Sequence, residues 1–220
     1  MGVLLMLITI SGLMVAAILL AVSLIKKKTW LTKFTLGGVA VWFVFYAAML
    51  FGFSFASTER TLAMNEPKEY CGFYLDCHMH TAVSGVRRSK TIGDVTASGE
   101  FYIITIKVFS NAKAATLGFT TVDAHVVDAS SRTYTRDQRA EEQLSDQLPF
   151  DRKISPVESF EKEIVFDLPV DVQNPRLDIS EGYGIDKAIE AVLVDDEDSI
   201  LHKRTYFKLA EQNETAASNR

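Results

Sequence analysis

The apolar positions of this chain fall into two contrasting patterns. Residues 3–25 and 34–56 form two apolar runs without a charged side chain, whereas apolar and polar positions are mixed from residue 57 onward. At about 1.5 Å of rise per residue, a helix of either run is about 34 Å long. The hydrocarbon layer of a bilayer is about 30 Å thick, so the sequence predicts two transmembrane helices.

The link between the two runs indicates how these helices are oriented. Lys26, Lys27, Lys28 and Lys33 are the only charged side chains before Glu59. Short loops rich in lysine and arginine stay on the cytoplasmic side of a membrane. The four lysines are therefore predicted topology determinants, which place the link in the cytoplasm and both termini of this integral membrane protein outside it.

A cleaved secretory signal is the main alternative for the apolar runs. No basic segment precedes the first run, which is longer than the apolar segment of a typical signal. In a second form of this alternative, residues 26–33 are the basic segment of the signal, the second run is its apolar segment and Phe55-Ala56-Ser57 is the cleavage site. The second run is also too long for that role. In either alternative the rest of the chain still lies outside the cytoplasm.

Charge separates the apolar part from the remainder. The chain has 23 basic and 28 acidic residues. Without the four lysines of the link, residues 57–220 have 19 basic and 28 acidic residues, which is a net charge of −9. Nucleic-acid binding needs clustered lysine and arginine, so no nucleic-acid partner is predicted. The remaining stretch, roughly 160 residues, is long enough for one domain with its own core.

Short strands dominate the sequence after the apolar runs. Residues 100–109 carry apolar side chains on both faces, which is typical of a central strand. Residues 160–168 alternate between apolar and mostly charged positions, the pattern of a strand with one face in the core. Further strands are predicted at residues 79–87, 121–128, 132–135, 176–179, 191–194 and 201–209.

Turn and capping residues complete the predicted architecture. Residues 128–131 join two strands, and Pro175 opens another. Thr135 and Gln138 have the spacing of a capping box, and Pro149 closes the segment, which predicts a short helical insertion. Seven or eight short strands predict an all-β domain, a two-sheet antiparallel sandwich, after the two transmembrane helices.

This interpretation divides the chain into four parts. Residues 1–57 form a two-span anchor with a cytoplasmic lysine-rich loop, and residues 58–70 form a linker. Residues 71–209 form the extracytoplasmic β-sandwich. The polar tail, residues 210–220, is expected to be disordered.

Two segments resemble a known family. Residues 99–111 (GEFYIITIKVFSN) and 155–169 (SPVESFEKEIVFDLP) are similar to the two signature strands of bacterial telokin-like extracellular domains. The resemblance implies an immunoglobulin-type sandwich of unknown function, often tethered to a membrane. It covers roughly residues 87–209 and departs from the family at Val157, where a glycine usually follows the proline, and at residues 135–148.

The two cysteines fall in the part expected outside the cytoplasm. Cys71 and Cys77 lie six positions apart, and such a compartment permits oxidation, so the sequence predicts one small disulfide loop. The bridge would stabilise the junction between anchor and domain. The alternative is a pair of reduced thiols in an organism with weak oxidation machinery.

Metal binding is a hypothesis at two places. The run Cys77-His78-Met79-His80 gathers donors that suit copper or zinc, with His78 and His80 on one face of a strand, although a disulfide would remove Cys77 as a ligand. Asp195, Asp196, Glu197 and Asp198 lie between two predicted strands, where a hairpin would gather four carboxylates for weak calcium binding. Ordinary packing and a solvated acidic turn are the alternatives.

No sequence motif names a reaction. The chain lacks the G-x-S-x-G and H-E-x-x-H patterns, so no catalytic residue and no cofactor are predicted. An unrecognised envelope enzyme would require folding to bring together some of the four histidines, which are His78, His80, His125 and His202. A binding or interaction module is the favoured interpretation, ahead of a calcium or metal sensor.

The predicted partners follow from the anchor. The lipid bilayer is one, and another envelope or membrane protein is a second. Small residues repeat every four positions on both runs, at Gly12 and Ala16 and at Ala48, Gly52 and Ala56. Such faces let helices approach closely, either within the hairpin or in a homo-oligomer formed through the transmembrane helices.

Overall fold

The chain forms two compact units in the computed structural model, which describes residues 2–70, 77–145, 147–182 and 184–209. The helical unit consists of the chain up to Thr58 together with Gly184–Arg204. The sandwich unit consists of the described residues of Glu59–Tyr183 together with those from Thr205 to Leu209. The predicted order of two apolar helices followed by a β-sandwich is confirmed, and the chain passes between the units three times.

The helical unit begins with an antiparallel pair, α1 (Gly2–Ile25) and α2 (Thr29–Ala56). Both helices are long and apolar enough to cross a membrane. Only residues 26–28 separate them, so the link is shorter than predicted and Lys33 lies inside α2. The Ser23 hydroxyl donates to the Lys28 carbonyl oxygen at 2.7 Å, a hydrogen bond that spans the link.

Two sheets make up the sandwich unit. The five-stranded sheet has the order β1-β9-β8-β5-β6, and the four-stranded sheet has the order β2-β3-β4-β7. The strands are β1 (Arg60–Leu62), β2 (Lys68–Tyr70), β3 (Met79–Ile92), β4 (Val95–Ser110), β5 (Val122–Val127), β6 (Thr133–Thr135), β7 (Ser159–Leu168), β8 (Arg176–Glu181) and β9 (Thr205–Lys208). Among the described residues, β1 pairs with β9 in parallel and the other strand pairs are antiparallel.

Strand β4 is the central strand that the sequence predicted, because both of its faces are buried. Ile104 and Ile106 belong to the main core. Phe101 and Ile103 point to the opposite face, where they pack with Val165 in a second apolar cluster. Two buried faces explain why apolar residues run almost continuously through this strand.

The predicted helical insertion covers that second cluster and the free edge of β7. Helix α3 (Gln138–Glu141) buries Ala140 against the four-stranded sheet. The Val165 amide donates to Glu141 Oε1 at 3.0 Å, and the Asp137 amide donates to the Val165 carbonyl oxygen at 2.8 Å. These bonds occupy edge groups of β7 that would otherwise be open to pairing with another chain.

The cap of α3 differs from the prediction. Asp137, rather than Thr135, is the N-cap, and its carboxylate accepts a hydrogen bond from the Ala140 amide at 3.0 Å. Thr135 is instead the last residue of β6, where it pairs with His125. Aspartate is as good an N-cap as threonine, so the strand pairing decides between the two positions.

A predicted linker and a predicted strand are also wrong. Residues 58–70, expected to be a linker, contain β1 and β2. Residues 191–194 are not a strand but follow directly after helix α4 (Gly184–Glu190). The apolar residues Ile185, Ile189 and Val192 have the i, i+4, i+7 spacing of a helix face, which the strand prediction overlooked.

Val157 occupies a conformation that a β-branched residue rarely adopts. It follows Pro156 in a turn closed by the Glu158 amide, which donates to the Ser155 carbonyl oxygen at 3.0 Å, and its φ is +62°. Left-handed backbone costs about 1–2 kcal/mol for a residue with a β-carbon. This is the position at which the telokin-like family usually has glycine.

Replacing Val157 by glycine is therefore expected to stabilise the sandwich by about 0.5–1 kcal/mol, the relief of strain less the greater flexibility of glycine in the unfolded chain. Val157 is 82% exposed, so little packing is lost. Urea denaturation monitored by circular dichroism gives the difference. Val170→Gly is the matched control: this valine is 77% exposed and has no positive φ. Equal effects of the two substitutions would refute the explanation.

Candidate functional site

A buried charged cluster lies where β8 and β9 separate. Lys68 and Asp178 are 7% and 1% exposed, and Lys68 Nζ lies 4.0 Å from Asp178 Oδ1. The Lys68 ammonium group also donates to the carbonyl oxygens of Ile179 at 2.9 Å and Thr205 at 3.4 Å. His125 Nε2 lies 3.4 Å from the other carboxylate oxygen of Asp178.

This cluster holds strands together. Lys68 belongs to the four-stranded sheet, while Ile179 and Thr205 belong to neighbouring strands of the other sheet. The paired residues of β8 and β9 are Arg176 with Lys208 and Leu177 with Phe207. Beyond these pairs, the Lys68 ammonium group donates to carbonyl oxygens of both β8 and β9. Its contacts therefore connect the two sheets and are structural.

Sequence reasoning missed this cluster, although one signal was present. Lys68 and Tyr70 are two residues apart in a strand and share a face. Tyr70 is a buried core residue whose hydroxyl lies 2.9 Å from Thr81 Oγ1. An inward tyrosine implies an inward lysine in the same strand, and a buried lysine requires acceptors.

The two histidines proposed as copper or zinc ligands have different surroundings in the structure. His78 is exposed and its Nδ1 lies 2.6 Å from Asn111 Oδ1. His80 is buried and stacks on Phe109 with 5.0 Å between the ring centroids. Neither ring nitrogen of His80 has a hydrogen-bond partner among the described residues.

The acidic run does not form the predicted hairpin between two strands. Asp196 Oδ1 accepts a hydrogen bond from the Asp198 amide at 3.0 Å, and the Asp198 carboxylate lies 3.2 Å from the Arg204 guanidinium group. Burial raises the pKa of Asp196 because the charged carboxylate is less well solvated there. In the described part of the chain, no three His, Cys, Asp or Glu residues are grouped to hold a metal.

The predicted disulfide lies partly outside the described residues. Cys71 falls in residues 71–76, about which nothing is stated, so the bridge to Cys77 stays a prediction. The same applies to the tail at residues 210–220, where disorder was expected.

The segment between β8 and β9 joins the helical unit. We call Gly184–Arg204 the β8–β9 excursion. The Tyr46 hydroxyl of α2 donates to the Val192 carbonyl oxygen at 2.7 Å, and Ser199 Oγ lies 3.5 Å from Ser54 Oγ. A β-carbon on Gly2 of α1 would collide with the backbone of Val194. The excursion therefore packs on the same end of both helices.

The chain leaves this end of the helical unit through two adjacent segments. The Lys203 amide donates to Ser57 Oγ at 2.8 Å, so the end of α2 and the end of the excursion lie side by side. In the sandwich unit the continuations of these segments are β1 and β9, which pair in parallel from Arg60 and Thr205. Because these two adjacent segments run in the same direction, β1 and β9 form the one parallel pair among the described strands.

A groove of about 340 Å³ lies between α1 and α2, lined by apolar and small residues. Gly12, Ala16 and Gly38 line it, and Trp42 Nε1 donates to Thr9 Oγ1 at 3.0 Å. No atom would lie within 4 Å of a β-carbon placed on Gly12 or Gly38. These glycines are therefore not needed for close packing inside the hairpin.

Together these features define the class of protein: a β-sandwich domain that follows a pair of apolar helices in the chain. The family model described as "Domain of unknown function (DUF4352)" matches residues 76–189. The chain belongs to this family of domains of unknown function. The match covers β3 to β8 and ends inside α4.

Two solved structures are similar at low identity. A secreted protein from Mycobacterium tuberculosis, MPT63, is 12% identical with a TM-score of 0.44, over 69% of this chain and 98% of that one. An uncharacterized β-sandwich protein from Clostridium difficile 630 is 11% identical with a TM-score of 0.39, over 70% of this chain and 96% of that one. No curated protein matches the chain significantly.

Proposed function

We propose that this protein is a membrane-anchored interaction module, in which α1 and α2 span the cytoplasmic membrane and the sandwich works outside the cytoplasm. The observation that carries the proposal is the exposure of the two apolar helices. The only buried residues of α1 and α2 in the described chain are Gly2, Ser23, Thr35, Leu50 and Ser54. An exposed apolar surface of this extent is favourable in lipid and costly in water.

The exposure also distinguishes the helices from core helices of a soluble protein. Phe34 and Phe55, near opposite ends of α2, are about 70% exposed or more, and Val44 between them is 71% exposed. A core helix of the same composition would bury these side chains. The lysines at residues 26–28 support an inside location for the link, and therefore an outside location for the sandwich.

An interaction role suits the sandwich better than catalysis does. The buried Lys68 and Asp178 serve a structural contact, and the metal hypotheses gain no support from the described residues. We propose another envelope or membrane protein as the partner and assign no reaction to the domain. We also propose that the sandwich is of the telokin-like, immunoglobulin type.

The topology gives a direct test. A phosphatase that is active only outside the cytoplasm, fused after Arg220, is expected to be active, and a reporter active only inside is expected to be silent. Moving the positive charge, by replacing the four link lysines with glutamine and adding lysines before Met1, should reduce the outside signal. An active inside reporter on the unaltered chain would refute the orientation.

The same fusion separates an anchor from a signal. An epitope tag before Met1 should remain on the full-length membrane-bound protein, because neither apolar run is removed. Loss of the tag, with release of the sandwich from washed membranes, would contradict the anchor.

The interaction role is tested by crosslinking in the native cells. The full chain is expected to give one stoichiometric product with an envelope protein, and a chimera carrying an unrelated sandwich on the same helices should not. Recovery of monomer alone under conditions that crosslink a known membrane complex would count against the role.

A further inference from the structure

We propose that the β8–β9 excursion lies in the outer interfacial layer of the membrane, with its exposed apolar side chains against lipid acyl chains. The inference rests on the proposed function, since it requires α1 and α2 to span the bilayer. It adds a second lipid-contacting element, drawn from the middle of the sandwich sequence, to the anchor that the apolar runs provide.

The depth of the excursion follows from its contacts with α2. Tyr46 lies ten residues before Ala56, the last residue of α2. At the rise of an α-helix, this separation is about 15 Å along the helix axis. The Tyr46 hydroxyl donates to the Val192 carbonyl oxygen, whereas Ser57, just after the helix, accepts from the Lys203 amide. The excursion therefore follows α2 over that length instead of merely touching its tip.

This length corresponds to the outer part of the bilayer. Helix α2 comprises 28 residues. Its apolar run, residues 34–56, is about 34 Å long against about 30 Å of hydrocarbon, so Ala56 lies near the outer boundary and Tyr46 lies within the outer leaflet. The contact of Val194 with Gly2 places the excursion at the outer end of α1 as well. Both helices therefore put it at the boundary between acyl chains and headgroups.

The excursion also exposes four apolar side chains. Ile185 and Leu201 are 72% and 57% exposed, and Val192 and Ile200 are also exposed. These side chains belong to the same compact unit as the exposed apolar surface of α1 and α2. In a domain surrounded by water, four exposed branched apolar residues within so short a segment would be unfavourable.

The backbone of the excursion is suited to a medium poor in water. The Ala191 amide donates to the Lys187 carbonyl oxygen at 3.0 Å, and the Ile200 amide donates to the Ala191 carbonyl oxygen at 3.0 Å. Together with the bond from Tyr46 to Val192, these pairings satisfy groups that lipid cannot satisfy. An irregular segment near acyl chains requires this internal pairing.

Charge determines which part of the lipid is recognised. The excursion carries three basic residues and six acidic ones, so anionic headgroups would repel it. Burial raises the pKa of Asp196, as expected for a carboxyl group moved out of water. The attraction therefore comes from apolar contact with acyl chains and should not depend on anionic lipid.

Tryptophan quenching by lipids brominated on their acyl chains tests the proposal with the full chain in bilayer vesicles. Leu201→Trp, in a chain whose Trp30 and Trp42 are replaced by phenylalanine, reports on the excursion. A chain retaining only Trp42 reports on α2. We expect brominated lipid to quench the tryptophan introduced by Leu201→Trp almost as strongly as it quenches Trp42. The quenching should be equal in zwitterionic and anionic vesicles, and aqueous iodide should quench this tryptophan little.

The pair of reporters separates the two proposals. If Trp42 is not quenched by brominated lipid, the spanning helices themselves are refuted. If Trp42 is quenched while the reporter of the Leu201→Trp variant is quenched only by iodide, the anchor stands and the interfacial excursion is refuted. Ile185→Trp in the same background repeats the measurement at the other end of the excursion, should the first variant not fold.

Discussion

Replacing Gly99 by alanine is expected to destabilise the sandwich unit by about 2–3 kcal/mol or more. A β-carbon at this position would collide with the carbonyl group of Leu168 and lie 2.9 Å from the Cα atom of Pro169. These are backbone atoms of β7 and the residue after it, so the strand itself must move. The Gly99 amide also donates to Asp167 Oδ1 at 2.9 Å, which holds the two strands at this spacing.

Gly85→Ala is the matched control for this prediction. Gly85 lies in β3, the strand on the other side of β4, and a β-carbon there would meet Thr105 Oγ1 at 3.5 Å, an ordinary contact. We expect its effect to stay within about 1 kcal/mol. Urea denaturation of the full chain in detergent, followed by the β-sheet circular dichroism signal, measures both variants. Similar stability of the two would show that the close approach at Gly99 is unimportant.

Replacing Lys68 by methionine is expected to cost about 3–5 kcal/mol, because it leaves the buried Asp178 carboxylate without the lysine charge. Methionine preserves much of the side-chain length while removing the ammonium group. The substitution also removes the hydrogen bonds to the carbonyl oxygens of Ile179 and Thr205. The loss should therefore appear as a large fall in the denaturation midpoint of the sandwich.

A double substitution distinguishes charge burial from general disruption. Adding Asp178→Asn to Lys68→Met is expected to restore part of the stability, since a neutral amide is less costly to bury than an unpaired carboxylate. Lys113 is exposed, so Lys113→Met should change stability by no more than about 0.5 kcal/mol. If Asp178→Asn destabilises the Lys68→Met variant as much as it destabilises the unaltered protein, the charge coupling is refuted.

Much of the fold was predictable because its signals are local. The alternation at residues 160–168 and the two apolar faces of residues 100–109 identified β7 and β4, and turn residues at 128–131 identified the β5–β6 hairpin. In that turn Asp128 Oδ1 accepts hydrogen bonds from the amides of Ser130 and Arg132. Burial opposes ionisation of Asp128, but these bonds and the Arg132 guanidinium group outweigh it and lower its pKa.

The errors arose where local signals compete. Asp137 and Thr135 are both capable caps, and only the pairing of Thr135 with His125 assigns one to a strand and the other to the helix. Residues 191–194 are apolar enough for a strand, yet the helical spacing that starts at Ile185 prevails. The strands at residues 60–62 and 68–70 are three residues long, too short for a periodic pattern.

The candidate site was less predictable than the fold. The sequence identified histidines and carboxylates by type and proximity along the chain, but burial and pairing decide what they do. His80 stacks on Phe109, and Asp198 is paired with Arg204, and neither contact could be predicted from the sequence around these residues.

The sequence by itself determined the two apolar helices, the order of the units and the β character of the sandwich. Each of these depends on residues close together in the chain, whose periodicity or composition suffices. Only the tertiary structure decided that Lys68 is buried, that Gly99 must lack a side chain and that residues 184–204 return to the helical unit. Those features depend on which distant surfaces meet, through contacts such as Tyr46 with Val192, and no local pattern encodes that choice.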